Sequence, residues 1–361
     1  MKFYFNESKV WSRKKESVYQ EINSSQLPLV LIGKQSTIDK RFLQNLTVPV
    51  EYVCSNTPST WGTTWWGKRV ISPNDLPNLY AAYNALIIIQ NHAQTLTTQL
   101  KGLSIPPQNI YTLDMYFDCD DNSSYFVGAR DDLERVYSSL QDEKSRDTYE
   151  AMVHYRVNHD PEIIKDIILP IREQYFPQKL GDFTFLHDHE IFADAGAYTG
   201  DSIRDFIGAT EGKYEKIYAF EPDPISYSKL RDNTHGLDKV HCFNLGVGGK
   251  KDILHFNSLG NMGSRIDENG NTIVNVDSLD DIFDGQPVTY IKMDIEGMEC
   301  LALQGAAKTI KTHKPKLAIC IYHSDHDVVE VPKLILELNP DYKLYIRQYA
   351  NSAADTVCYA I

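Results

Sequence analysis

The chain has 361 residues, 42% of them hydrophobic and 24% charged, with a formal net charge of −13 at pH 7. That length accommodates about two domains with separate cores, and the composition excludes wholesale disorder. The acidic balance argues against a dedicated nucleic-acid binder, because phosphate recognition wants a basic face.

The first residues, Met1-Lys2-Phe3-Tyr4-Phe5-Asn6-Glu7, lack an apolar core ahead of a cleavage site, so no signal peptide is expected. Apolar runs such as 85–89 have strand length and are too short to span a bilayer. Cys54, Cys119, Cys242, Cys300, Cys320 and Cys358 are scattered, with no Cys-x-x-Cys pair. They predict reduced core thiols in a cytoplasmic protein, not a disulfide or zinc framework.

In chain order, residues 27–33 read as a buried strand and 36–46 as a helix capped by Ser36. Strands at 50–55, 85–90 and 109–113 alternate with helices at 74–83 and 93–103, which predicts a small Rossmann-like α/β domain over residues 1–115. Three of the four tryptophans, Trp61, Trp65 and Trp66, fall in one loop of it. They suit a sugar face, an interface anchor, or a cluster folded onto its own domain. Residues 116–180 are polar and helix-prone, with helices expected at 131–140, 143–157 and 161–175, and read as a helical connector.

The third region, 181–361, carries strand-like runs at 190–195, 216–221, 240–247, 288–294 and 316–322, separated by helical stretches. Two further runs, 342–347 and 356–361, have only a short turn region between them and should pair antiparallel. The outline is a doubly wound parallel sheet that ends in an antiparallel hairpin.

The central signal is Phe192-Ala193-Asp194-Ala195-Gly196-Ala197-Tyr198-Thr199-Gly200-Asp201, which leaves a strand and enters a helix. Gly196 and Gly200 are expected to let backbone approach a ligand closely. A helix starting near Thr199 aims its amides at that loop, a setting for a carboxylate. Asp194 is expected to accept a hydrogen bond from a ligand ammonium, and Tyr198 and Asp201 complete this binding set. One βα unit later, Phe220-Glu221-Pro222-Asp223 places an acid at the end of the second strand, suited to ribose hydroxyls, with Asp223 beside it. The plainer alternative is a tight turn with unrelated acids.

These residues, together with Lys292-Met293-Asp294-Ile295-Glu296-Gly297, Gly305-Ala306 and Ile321-Tyr322-His323, resemble the FkbM-type methyltransferases across the whole third region. The resemblance implies a class I methyltransferase fold, S-adenosylmethionine as methyl donor, and a hydroxyl acceptor on a sugar, glycan or natural product. Methyl transfer mainly requires the nucleophile opposite the leaving sulfur, and a hydroxyl benefits from a general base. Candidates belong at the carboxyl ends of the strands. Asp294 and Glu296 end the fourth strand and His323 ends the fifth. His323 is the expected base, with a pKa near neutrality, and Asp294 or Glu296 orients it or binds the acceptor. The plainer readings are a strand-end polar residue for His323 and helix capping for the two acids. Lys292 reads as a strand-edge charge. A divalent metal on Asp294, Glu296 and His323 suits a carboxylate-rich rim and ranks below the metal-free reading. His323-Ser324-Asp325-His326-Asp327 reads as a solvated loop, and residues 259–265 as a mobile loop near the substrate, with Arg265 contacting an acidic acceptor or nothing.

Two other classes stay open. A nucleotide-sugar or NAD-dependent oxidoreductase is opposed by Gly196-x-x-x-Gly200, which lacks the spacing of Gly-x-Gly-x-x-Gly. A non-catalytic scaffold is opposed by the presence of both Asp194 and Glu221. A nucleic-acid base methyltransferase is opposed by Asp294-Ile295-Glu296-Gly297, where an Asn/Asp-Pro-Pro-aromatic string would stand. The acceptor and the oligomeric state are left open.

Overall fold

A computed structural model of the chain describes residues 15–33, 45–79, 82–89, 93–114, 122–158, 163–257, 265–266, 270 and 272–361. The front sheet contains β1 (Leu29–Ile32), β2 (Val50–Cys54), β3 (Thr64–Trp65), β4 (Lys68–Ile71), β5 (Asn84–Ile89) and β6 (Ile110–Asp114). Their order is β3-β4-β2-β1-β5-β6, parallel throughout except for the antiparallel β3–β4 hairpin. β1 and residues 84–88 of β5 are continuously buried, as parallel strands covered on both faces must be. The hairpin turn is Trp66-Gly67, with φ of +49° and +76°, the pair of left-handed residues such a turn needs. Trp65 is buried in the domain's own core, Trp66 packs against it, and Trp61 donates to the Ser55 carbonyl at 2.7 Å. Trp65 and Trp66 thus fold onto their own domain, while Trp61 is 41% exposed. The helix expected at 36–46 lies largely outside the described residues. That expected at 74–83 is a short 3-10 turn, Pro73–Asn78, in which Pro77 has no N–H with which to continue.

Three helices follow, Asn122–Gly128, Arg130–Ser139 and Glu143–Asn158. Of the helix expected at 161–175, the described residues 163–175 form no α-helix, only a 3-10 turn at Ile171–Glu173. Pro170 restricts the residue before it, and the chain instead runs along the main sheet, where Leu169 donates to the Gln348 carbonyl at 2.8 Å. A small hairpin, β7 (Lys179–Leu180) and β8 (Phe183–Thr184), leads into the third region.

There the strands are β9 (Glu190–Ala195), β10 (Tyr214–Phe220), β11 (Val240–Phe243), β12 (Gly246–Val247), β13 (Asp252–Asn257), β14 (Arg265–Ile266), β15 (Thr272–Asp277), β16 (Tyr290–Met293), β17 (Lys316–Cys320), β18 (Leu344–Gln348) and β19 (Thr356–Ala360). The main sheet has the order β11-β10-β9-β16-β17-β19-β18, and only β19 runs antiparallel to its two neighbours. This is the class I methyltransferase arrangement with its terminal antiparallel hairpin. Phe126, Leu133, Val136, Tyr149 and Val153 of the three helices share one core with Ile291, Met293, Leu317, Ile319 and Ile346 of this sheet.

The run 240–247 is not one strand. It breaks at Asn244, whose side-chain amide donates to the carbonyls of Glu221 and Pro222 at 2.9 and 3.0 Å. Beyond the break, β12 joins a second sheet of order β12-β15-β13-β14. The stretch between β11 and β16 therefore contributes strands where helix was expected.

Among the described residues, no helix is long and apolar enough to cross a membrane. Cys54, Cys242, Cys300, Cys320 and Cys358 are free thiols.

Candidate active site

Strand order reverses between β9 and β16, and the crevice outside the carboxyl ends of strands at such a switch point is where α/β sheets bind ligands. An open cleft lies there. Gly196 follows β9, Glu221 follows β10, and Asp294, Ile295 and Glu296 follow β16 along its wall. Its apolar side is Phe256, Val274 and Val276 from the second sheet, with Leu245, Val247 and Met298.

Asp194 is fully buried and both its oxygens are engaged. Lys292 Nζ donates to Oδ1 at 2.9 Å, and the Ser202 hydroxyl donates to Oδ2. Lys292 also donates to the Gly196 carbonyl at 2.8 Å and sits 5.1 Å from the centre of the Tyr175 ring. Burial disfavours a charge on Lys292, but Asp194 and Asp294 outweigh it and raise its pKa. One expectation is corrected here: Lys292 is not a strand-edge charge, since it is 2% exposed in the centre of the sheet. Asp194, held by these buried donors, anchors the loop. Gly196, at φ +82°, is required by the fold, since a Cβ there would lie 1.9 Å from the Asp294 carbonyl oxygen.

The loop amides are also engaged. Gly196 and Ala197 both donate to the Phe220 carbonyl, at 3.0 and 2.9 Å, and Tyr198 donates to Glu221 Oε2 at 2.9 Å. Tyr198 has φ +47°, a costly conformation for a non-glycine residue, held by that bond. The following helix, Asp201–Ala209, begins two residues later than expected, with Gly200 in the left-handed region at its N-cap and exposed Asp201 in its first turn.

Glu221 is 7% exposed, with its second oxygen accepting from the Asp223 amide at 2.8 Å. Burial raises its pKa to about 7 against the opposing pull of the two amides, with Asp223 adding to the rise and Lys292 lowering it. Asp223 is buried and caps the helix Pro224–Asn233 through the amides of Ile225 and Ser226. Its geometry is that of an N-cap and not of a residue in the pocket wall.

On the far side of the pocket, Asp294 accepts from the hydroxyls of Tyr175 and Tyr322, each at 2.9 Å. His323 Nε2 lies 3.3 Å from Asp294 Oδ1 and 3.9 Å from Glu296 Oε2, and Nδ1 lies 3.1 Å from Glu299 Oε1. The three predicted catalytic residues are therefore brought together, around a fourth group, Glu299, that the sequence reading missed. Burial disfavours the imidazolium, but Glu299, Asp294 and Glu296 together raise the His323 pKa well above its ordinary value. The expectation of a pKa near neutrality is corrected by this carboxylate cage. For Asp294, burial works to raise the pKa, and His323, Lys292 and Tyr322 together lower it.

The segment after His323 is not a solvated loop. Asp325 is fully buried against Arg156, Nη1 to Oδ1 2.7 Å, and Arg156 also donates to the Tyr322 carbonyl at 2.7 Å. Asp327 and Ser324 bond reciprocally, and exposed His326 packs on Tyr125. The helix Glu143–Asn158 thus fixes the turn that carries His323. The expected mobile loop at 259–264 lies outside the described residues, as does the Arg265 side chain. Sequence reasoning also missed Tyr175 and Tyr322. Tyr322 stood beside His323 in the family string, whereas nothing local marked Tyr175.

Residues 194–349 match the family model described as Methyltransferase FkbM domain, so the chain carries that domain and the resemblance read from the sequence is borne out there. The chain is similar to a crystal structure described as methyltransferase FkbM from Methylobacillus flagellatus KT. The TM-score is 0.73 at 23% identity, over 97% of this chain and 94% of that one, which shows a shared fold. An rRNA methylase from Streptococcus thermophilus matches at 16% identity over 49% of this chain and 87% of its own, with a TM-score of 0.33. A SAM-dependent methyltransferase from Aquifex aeolicus matches at 17% identity over 56% and 97%, with a TM-score of 0.31. Similarity at those two scores bears on neither fold nor function. No curated protein matches the chain.

Proposed function

From the FkbM methyltransferase domain at residues 194–349, we propose that the chain transfers a methyl group from S-adenosylmethionine to a hydroxyl oxygen of a sugar, glycan or other small molecule. The observation that supports this best is the pocket at the switch point, with one buried acid on its wall and apolar side chains around it. These residues fit the cofactor's nucleoside half. Glu221 is the acceptor for a ribose diol, and Phe256, Val274, Val276 and Met298 form a wall for a flat base. Bound there, S-adenosylmethionine supplies an electrophilic methyl on a positively charged sulfur.

The chain's own residues supply placement. Tyr198 and Asp223 amides hold Glu221 with its carboxylate turned to one position. The Asp194–Lys292 pair and Ser202 hold the β9 loop through buried contacts. Gly196, Gly200 and Asp201 shape that loop and its helix start. Asp294 and Glu296 line the pocket and also contact His323, so they join the cofactor side to the acceptor side. Their negative charge favours a cationic ligand, and a cluster of carboxylates, imidazole and tyrosines is suited to hydrogen-bonding an acceptor hydroxyl. Tyr175 and Tyr322 fix Asp294 so that this bond has one direction.

Calorimetry on the full chain should show one site for S-adenosylmethionine or its demethylated product and none for NAD. Absence of binding by both would overturn the proposal. A screen of sugars, glycans and nucleotide sugars with radiolabelled methyl donor then identifies the acceptor, with label expected in an ether linkage.

A further inference from the structure

The acceptor side holds more buried ligand atoms than its own contacts satisfy. We propose that Asp294, Glu299 and His323 bind a divalent first-row cation. One ligand atom from each residue lies within 4.8 Å of the others. The His323 side chain is 5% exposed and that of Glu299 is fully buried. Neither ring nitrogen of His323 makes an aligned hydrogen bond, and Glu299 Oε2 has no partner. Buried polar groups in folded proteins are satisfied in the great majority of cases, and an orphan is costly. Glu299 Oε2 and one ring nitrogen of His323, on two touching side chains, are the atoms a single ion would take.

The charge count agrees in sign. Asp294, Glu296 and Glu299 place three carboxylates around one imidazole. Lys292, whose charge acts on Asp294, is already bonded to Asp194 and the Gly196 carbonyl. A divalent cation offsets more of that negative charge than a single proton on the ring does. The supports that metal ligands use are also in place. Tyr175 and Tyr322 donate to Asp294, and the Ile295 amide donates to Glu299 Oε1 at 2.9 Å, leaving Oε2 for the ion. One nitrogen with two carboxylate oxygens suits manganese or zinc better than calcium, whose ligands are all oxygen. Glu296, on the pocket rim with Oε2 3.9 Å from His323 Nε2, flanks the site on its open side. This site stands on its own geometry and does not depend on the methyl-transfer reading.

The test uses Mn²⁺ alone with the metal-free, full-length chain, and reads bound ion from the loss of the free-ion spin-resonance signal. One ion per chain is expected. Glu299→Gln and His323→Gln should each weaken binding at least about tenfold. Because a buried substitution can unfold the chain, spin-echo modulation from imidazole nitrogen is also measured on wild type and should be present. Absence of stoichiometric binding, bound Mn²⁺ without nitrogen modulation, or unchanged affinity in folded Glu299→Gln and His323→Gln would each overturn the site.

Discussion

Glu221→Ala probes the cofactor assignment with two separable readouts. In the native protein the carboxylate is 7% exposed and accepts from the amides of Tyr198 and Asp223 at 2.9 and 2.8 Å. Under the proposed function it also accepts from the ribose diol. Losing a hydrogen bond to a charged group costs about 1.5–3 kcal/mol, which converts to a rise of about 10- to 150-fold in the Kd for S-adenosylmethionine. The pKa adds a pH signature. Burial raises Glu221 to about 7, Asp223 adds to the rise, and Lys292 and the two amides lower it. Below that pH the carboxyl carries a proton and is the poorer acceptor, so wild-type affinity should rise with pH through about 7 and then level off. Glu221→Gln cannot ionise and should flatten that dependence. Stability of the empty protein runs the other way. The folded state holds the proton more tightly than the unfolded state, whose pKa is near 4.5, so this group's contribution falls as pH rises from about 4.5 to 7. Calorimetric titrations between about pH 6 and 8, with parallel urea melts, check both. A folded Glu221→Ala with wild-type affinity would refute the placement of the ribose at β10.

Other substitutions test the frame that holds the site. Lys292→Met strands a fully buried Asp194 and should cost about 3–5 kcal/mol in denaturant melts, whereas the double variant with Asp194→Leu should recover most of it. Strict additivity of the two would show that the pair carries no coupling. Gly196→Ala forces a Cβ to within 1.9 Å of the Asp294 carbonyl oxygen in a left-handed backbone, so a loss of more than about 2 kcal/mol is expected, with altered cofactor affinity. Near-native behaviour on both counts would mean that the β9 and β16 loops are not in contact. Arg156→Met leaves Asp325 buried without its partner and should cost about 3–5 kcal/mol. An unchanged melting temperature would show that the helix Glu143–Asn158 does not brace the turn after β17.

The strands of the main sheet were legible because each is a short buried run whose apolar character is local. β9, β10, β16 and β17 fall within about two residues of their predicted bounds, and the closing pair β18–β19 is antiparallel as its short connection requires. The loop after β9, the acid after β10 and the trio Asp294, Glu296 and His323 were likewise readable, because strand ends in such a sheet converge on one rim. The second sheet was not readable. β15 has the burial pattern of a strand with one solvated face, and Ile273 on that face is 64% exposed, so polar and apolar residues mix without marking an element. The roles of Asp194 and Lys292 were hidden for a different reason. Their hydrogen bond joins residues 98 positions apart, and a lysine in a strand reads as an edge charge until its partner is placed beside it. Glu299 and Tyr175 reach the rim from a helix start and from the turn before β7, and no periodicity announces either. The sequence by itself determined the main-sheet strands and the chemistry carried at their ends, since both follow from neighbours along the chain. Only the tertiary structure decided which charges are buried and paired, because desolvation and Coulomb energy depend on distances that packing alone sets.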